Sequence, residues 1–90
     1  MAHNRNGGME LRILRYFLAV VEEQSITGAA EYLGMSQPSL SRQLREFESR
    51  LGCTLFERGS RTITLTPEGE LFPAPAQEKV KLADRAEADL

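Results

Sequence analysis

Residues 25–52, SITGAAEYLGMSQPSLSRQLREFESRLG, decide the fold of this 90-residue chain. They contain two segments with helical apolar spacing, each preceded by a serine and followed by a glycine. Ser25 and Ser36 fit N-cap positions, because a serine hydroxyl accepts a hydrogen bond from an unpaired N–H of the first turn. Gly34 and Gly52 fit helix ends, because glycine adopts the left-handed conformation without strain. The stretch predicts two short helices joined by a tight turn.

The second of these helices has two chemically different faces. Its buried face is expected to hold Leu40, Leu44, Phe47 and Leu51, which recur at helical spacing. At about 100° per residue, the face expected to point outward carries Pro38, Ser41, Arg42, Arg45 and Ser49. This outward face is rich in hydrogen-bond donors and lacks the mixed Glu and Lys pairs of an ordinary solvated helix.

The segments on either side extend this pattern. Apolar residues at three- and four-residue spacing predict an amphipathic helix over residues 10–24, and residues 1–8 are expected to form a flexible leader. After Gly52, the β-favouring runs 54–57 and 62–65 flank a glycine-containing turn, which predicts a small hairpin with Arg58 and Arg61 beside its tip.

A fourth helix is expected to follow the hairpin. Thr66 offers a hydroxyl cap, and Pro67 fits the first helical position because its missing N–H is not needed there. Further on, Pro73 and Pro75 each remove a backbone donor and crowd the preceding turn. We therefore expect a kink, or a late restart of the helix near Ala76.

Charge is unevenly distributed along the chain. The net charge of −2 and the pI of about 5.4 by themselves argue against a nucleic-acid-binding domain. However, residues 36–66 carry +2, whereas residues 67–90 carry −3. The overall pI therefore does not exclude a DNA partner.

Composition excludes several classes of function. The single cysteine, Cys53, rules out an internal disulfide and fits a reducing compartment. With one His and one Cys, we expect no metal site, no nucleophilic triad, no cofactor and no enzymatic activity. The longest apolar run, residues 17–21, is too short to span a bilayer, and no secretion signal opens the chain. These features favour the cytoplasm.

Two helices joined by a tight turn and followed by a basic hairpin predict a mainly α winged helix-turn-helix. A helix fits the major groove of B-DNA, and its N-terminal residues meet the base edges. In that arrangement Arg42 is suited to guanine, Gln37 to adenine, and Pro38 to a thymine methyl group. The hairpin arginines are suited to phosphate or the minor groove. The candidate DNA-binding residues are Ser36, Gln37, Pro38, Ser39, Ser41, Arg42, Arg45, Arg58 and Arg61.

The chain also resembles a known family. The motifs that carry the resemblance are Glu10-Leu11-Arg12, Tyr16-Phe17, Ala29-Ala30 with Leu33, Ser36-Gln37-Pro38-Ser39-Leu40-Ser41-Arg42-Gln43, Leu51-Gly52, Leu55-Phe56-Glu57-Arg58 and Leu65-Thr66-Pro67-Glu68-Gly69. Together they resemble the LysR-type transcriptional regulators of bacteria, in one register from about residue 9 to residue 72. The stretches 22–26 and 57–61 are similar to members that control the breakdown of aromatic compounds.

The resemblance implies a domain organisation and a set of partners. Residues 9–66 correspond to the winged helix-turn-helix DNA-binding domain, and residues 67–90 to a linker or dimerisation helix. The expected partners are double-stranded DNA with an interrupted palindromic operator and a second copy of the chain, paired through the C-terminal helix. RNA polymerase is a candidate partner of the intact protein. The family's effector-binding domain is expected to be absent, so the chain resembles a DNA-binding fragment.

Two alternatives from other classes remain open on the sequence. A winged helix can bind protein instead of DNA, and steep weakening of DNA binding by salt discriminates the two. The last helix can also define a purely structural dimerisation domain, which would dimerise without affinity for DNA.

Overall fold

The computed structural model describes residues 2–58 and 62–88, and these form five helices and one hairpin. In chain order the elements are α1 (Ala2–Glu23), α2 (Ile26–Leu33), α3 (Gln37–Leu51), β1 (Phe56–Arg58), β2 (Ile63–Leu65), α4 (Pro67–Leu71) and α5 (Pro73–Ala88). The two strands are antiparallel, with Phe56 opposite Leu65 and Arg58 opposite Ile63. We call the hairpin of residues 56–65 the wing; its residues 59–61 lie outside the described part of the chain.

The serine and glycine signals act as the sequence predicts. The Ser25 hydroxyl accepts the Gly28 N–H at 3.0 Å, and the Ser36 hydroxyl accepts the Ser39 N–H at 3.2 Å. Gly34 and Gly52 end their helices with φ values of 72° and 80°, in the left-handed region that favours glycine. The predicted bounds of α2 and α3 are confirmed.

The start of α1 differs from the predicted one. The backbone is helical from Ala2, whereas the sequence places a leader at residues 1–8 and the helix from Glu10. Apolar periodicity marks only the part of a helix that packs on a core, and the periodic residues of α1 from Leu11 onward pack against this core. The segment before it contains no proline to stop the helix.

Aromatic rings join the core across four elements. Phe17 of α1 is fully buried and stacks on Phe56 of β1, with 6.1 Å between ring centroids. Phe72, between α4 and α5, packs edge-on against Phe17 at 5.5 Å and against Phe47 of α3 at 5.8 Å. The wing and the C-terminal helices are thereby attached to the helical core by apolar contact.

The wing is also tied to the start of α4. Thr66 caps this helix by accepting the Gly69 N–H, and its own hydroxyl donates to the Thr54 carbonyl at 2.7 Å. Its N–H donates to the Leu55 carbonyl at 3.0 Å. Gly69 lies so close to Leu55 that a Cβ at this position would fall 1.8 Å from the Leu55 oxygen. One threonine and one glycine therefore bring the base of the wing and α4 together.

The prolines break the C-terminal segment earlier than expected. α4 ends at Leu71 and α5 begins at Pro73, three residues before the predicted restart at Ala76. Pro73 and Pro75 both lie in the first turn of α5, where a backbone N–H has no partner within the helix. The first N–H bonded back into this turn is that of Ala76, which donates to the Phe72 carbonyl at 3.1 Å.

These elements form a winged helix: a helical core with α2 and α3 as its helix-turn-helix and a hairpin at one side. α5 packs along α1 with Ala76 buried, and Arg15 of α1 pairs with Asp84 of α5 at 2.7 Å. Within the described residues, no helix is both long enough and apolar enough to cross a membrane.

Candidate nucleic-acid interface

The N-terminus of α3 is open to solvent and has no acidic residue in its first turn. Ser36, Gln37 and Pro38 are all exposed there. The free N–H groups and aligned peptide dipoles of a helix N-terminus give it a partial positive charge. By contrast, α4 carries Glu68 and Glu70 in its first turn. The uncompensated start of α3 is therefore suited to an anionic partner.

Further along α3, Arg42 and Arg45 are exposed as the sequence predicts. Ser39 is half-buried, and its hydroxyl accepts a hydrogen bond from Gln43 Nε2 at 3.2 Å. The exposed part of α3 thus presents two guanidinium groups after the polar start of the helix. Guanidinium groups can donate two hydrogen bonds to a guanine edge or to a phosphate.

Ser41 does not take its predicted outward place. It is only 8% exposed. Glu48, seven residues further along the same side of α3, is also buried, at 5%. Leu51, which the apolar spacing assigns to the core, is instead 41% exposed. The buried face of α3 is therefore turned toward Ser41 and Glu48, because the chain returns past this side of the helix at Leu55.

Arg58 lies at the tip end of β1, as predicted, but its side chain turns back toward α3. Its side chain is 21% exposed, and Nη2 donates to Glu48 Oε1 at 3.0 Å. The guanidinium carbon lies 5.0 Å from the centre of the Phe56 ring, within range of a cation–π contact. The Arg58 side chain is therefore held against α3 and the Phe56 ring. Arg61, the other predicted wing residue, lies outside the described residues.

Sequence reasoning missed the role of Glu48, which is absent from the candidate site residues. The Glu48 carboxylate is buried and accepts both the Leu55 N–H at 2.7 Å and the Arg58 guanidinium. One available signal was its spacing, four residues after Leu44 and next to Phe47, which places it beside the apolar stripe. A carboxylate at such a position needs donors from elsewhere in the fold.

The described residues offer little else for ligand chemistry. Within residues 2–58 and 62–88, no three His, Cys, Asp or Glu side chains are grouped so that they could hold a metal ion. A shallow groove between α3 and β1, about 490 Å³ in volume, is lined by Arg45, Ser49, Thr54 and Arg58, among others. It connects the exposed side of α3 with the wing.

A solvent-facing helix with a positive start, set by a tight turn and flanked by a hairpin, defines the class of winged helix-turn-helix proteins. Residues 11–70 match the family described as bacterial regulatory helix-turn-helix protein, lysR family. The chain belongs to this family.

Named relatives agree with this assignment. The chain is 61% identical over 64 residues to the HTH-type transcriptional regulator BenM of Acinetobacter baylyi. This alignment covers 71% of this chain and 21% of BenM. It is 49% identical over 71 residues to the HTH-type transcriptional regulator BsdA of Bacillus subtilis, covering 78% of this chain and 24% of BsdA. The chain thus spans between about a fifth and a half of the length of the curated relatives it matches.

Solved structures share the whole architecture. A crystal structure of BenM_DBD with benA site 1 DNA matches with a TM-score of 0.81 and 50% identity, covering 87% of this chain and 88% of that one. A CbnR_DBD–DNA complex matches with a TM-score of 0.83 and 39% identity, covering 88% and 91%. The fold described above is therefore the fold that both of these proteins have in their DNA complexes.

Proposed function

We propose that the chain binds double-stranded DNA sequence-specifically, with α3 in the major groove and the wing against the backbone or minor groove. The observation that carries this proposal is the exposed, acid-free start of α3, followed by the exposed Arg42 and Arg45. Support also comes from the fold shared with BenM_DBD and CbnR_DBD, both solved with DNA. The negative net charge does not oppose this mode, because the acidic excess lies in residues 67–90.

The residues divide by the contact that each can make. Gln37, Pro38 and Arg42 lie in the exposed first half of α3, which meets base edges in this class of protein. Contacts with phosphates fix the position of the protein without reading the sequence. We assign such contacts to Ser36, Ser39, Arg45 and Arg61. Because Ser41 is buried and Arg58 pairs with Glu48, we assign neither residue a direct contact with DNA.

The remaining partners follow from the same proposal. The chain acts as a homodimer through α5 on an interrupted palindrome, because two-fold symmetric proteins read two-fold related half-sites. It is a regulator of transcription in the cytoplasm and not an enzyme, and RNA polymerase is a partner of the intact protein. The similarity of residues 22–26 and 57–61 to family members that control the breakdown of aromatic compounds supports a role for the intact protein in that class of regulation.

Selection of duplexes from a random DNA library tests the proposal. The chain is incubated with the library at about 0.1 M salt, and bound duplexes are amplified and sequenced. We expect enrichment of two related half-sites about one or two helical turns apart. A folded chain that enriches no sequence, and whose weak binding is equal for all duplexes, would contradict sequence-specific binding.

Salt dependence separates DNA binding from the alternative of a protein-binding winged helix. For the enriched duplex, log K should fall linearly with log salt, with a slope of about −0.9 per phosphate contact. An affinity that does not change between about 0.05 and 0.2 M salt would contradict phosphate contacts.

A further inference from the structure

We infer that Glu48 is a positioning residue for DNA recognition: its buried carboxylate fixes the wing relative to α3. The inference rests on the proposed function and adds a residue that makes no contact with DNA itself. In the same inference, Arg58 is the wing residue whose guanidinium binds the Glu48 carboxylate.

The geometry joins one carboxylate to the two ends of the first strand of the wing. Glu48 Oε2 accepts the backbone N–H of Leu55 at 2.7 Å, and Oε1 accepts Nη2 of Arg58 at 3.0 Å. Leu55 immediately precedes β1 and Arg58 is its last residue, so both ends of this short strand are held by one side chain of α3. Between them, Phe56 packs on Phe17 and lies under the Arg58 guanidinium.

A hairpin this short needs such a connection. Each strand has three residues, and an isolated two-stranded hairpin is marginally stable in water at best. Its direction is therefore set by the contacts that hold its two strands to the rest of the fold. Thr66 holds Thr54 and Leu55 from the α4 side, and Gln24 accepts the Ile63 N–H at 3.2 Å. Of these three anchors, only Glu48 lies on the helix proposed to enter the major groove.

The chemistry of the contact favours a positioning role over one of stability alone. Replacing a buried ion pair by apolar side chains of similar volume is often neutral or stabilising, so the pair is poorly explained as a source of stability. A carboxylate can accept from an N–H and a guanidinium at once, which an apolar residue cannot do. The Nε of Arg58 is buried and has no acceptor among the described residues. Burying this donor unpaired costs free energy, and a role in orienting the wing would explain why the arrangement is kept.

The test is Glu48→Gln, which keeps the shape of the side chain but leaves only one acceptor oxygen. With the duplex obtained by selection, we expect weaker binding and a salt slope lowered by about one for each bound protomer, because the wing loses its phosphate contact. The preference among base pairs read by α3 should persist. Glu46→Gln is the matched control: it removes the same charge from an exposed position on α3, and its salt slope should not fall.

A double variant separates positioning from general damage. Arg61→Ala alone should also lower the slope by about one for each bound protomer, if the wing tip contacts phosphate. Combined with Glu48→Gln, it should cause no further fall, because both changes remove the same contact. If Glu48→Gln only unfolded part of the sample, all affinities would drop by one factor and the slope would stay at its original value.

Arg58→Gln provides a second route should Glu48→Gln fail to fold. It leaves the bond between Glu48 and the Leu55 N–H intact, and Arg58 is only half-buried. We expect it to reproduce the lower slope, again without adding to Arg61→Ala. Additive falls in that double variant would show that Arg58 contacts phosphate directly and would overturn the inference. If the unmodified chain enriched no sequence, that result would contradict the proposed function itself, and this inference would lose its basis.

Discussion

Arg42 is the side chain on which base recognition is expected to depend most. It is exposed in the second turn of α3 and outside the core, so Arg42→Ala should change the free energy of unfolding by less than about 0.5 kcal/mol. Its loss should cost about 1–3 kcal/mol of binding and relax the preference at one base position. Selection repeated with the variant measures both effects.

Arg85→Ala is the matched control for Arg42, since Arg85 is an exposed arginine on α5, away from α3. It should leave the selected sequence unchanged. The assigned role of Arg42 would be untenable if the alanine variant selected the same bases, with the same strength, at every position.

Gly69 shows how a single missing side chain can decide packing. An added Cβ would lie 1.8 Å from the Leu55 carbonyl oxygen, which already accepts the Thr66 N–H. Backbone cannot yield to such a contact as a flexible side chain can. Gly69→Ala should therefore reduce the free energy of unfolding by about 3 kcal/mol or more. Urea denaturation followed by circular dichroism gives the value.

Gly28→Ala is the control for that substitution. Gly28 is also helical, but its nearest neighbours for a Cβ, atoms of Glu23, are 3.5 Å away. Alanine is favoured over glycine in a helix, so this variant should gain about 0.5–1 kcal/mol. Equal stabilities for the two alanine variants would contradict the close approach at Gly69.

At the scale of elements, the position of α5 is set by apolar packing more than by its ion pair. Phe72→Ala should cost about 3 kcal/mol, because the ring contacts both Phe17 and Phe47. Asp84→Asn should cost less than about 1 kcal/mol, since Arg15 and Asp84 are 43% and 54% exposed. Thermal unfolding of both variants tests the ranking, and the reverse order would contradict it.

In the ion pair between α1 and α5, the charge of the arginine does not change near neutral pH. The hydrogen bond that the Arg15 guanidinium donates to the Asp84 carboxylate raises the pKa of Arg15 above its ordinary value. A raised pKa means that the stabilising contribution is fully present at lower pH and is lost only as pH rises through the folded-state pKa. Arg15 therefore stays charged throughout the neutral range.

Local chemistry explains which elements the sequence predicts well. The caps at Ser25 and Ser36 and the ends at Gly34 and Gly52 depend on neighbours within one turn, so their residue types suffice. The turn at Gln24 could not be predicted in this way. Gln24 has a φ of 57°, in the left-handed region, although it is not a glycine. Its carbonyl accepts a hydrogen bond from the N–H of Ile63, which is distant in sequence.

Long-range contacts explain what the sequence leaves out of the candidate site. Arg42 and Arg45 are exposed as predicted, because helical periodicity alone decides their side of α3. Ser41, Glu48 and Arg58 take their places through contact with a later part of the chain, which no spacing within α3 reveals.

At the scale of the whole molecule, the exposed Leu82 of α5 bears on assembly. This side chain is 64% exposed and outside the core, so Leu82→Gln should leave the unfolding temperature nearly unchanged. If α5 pairs with a second copy, the change should shift the monomer–dimer equilibrium toward monomer by at least about tenfold, since burying one leucine side chain contributes about 1.5–3 kcal/mol and about 1.4 kcal/mol corresponds to tenfold. Sedimentation equilibrium measures the shift.

Glu87→Gln, at an exposed position of α5 whose charge acts on Arg15, is the control and should leave the monomer–dimer equilibrium unchanged. The same shift in both variants, or in neither, would contradict a dimer built on this face of α5.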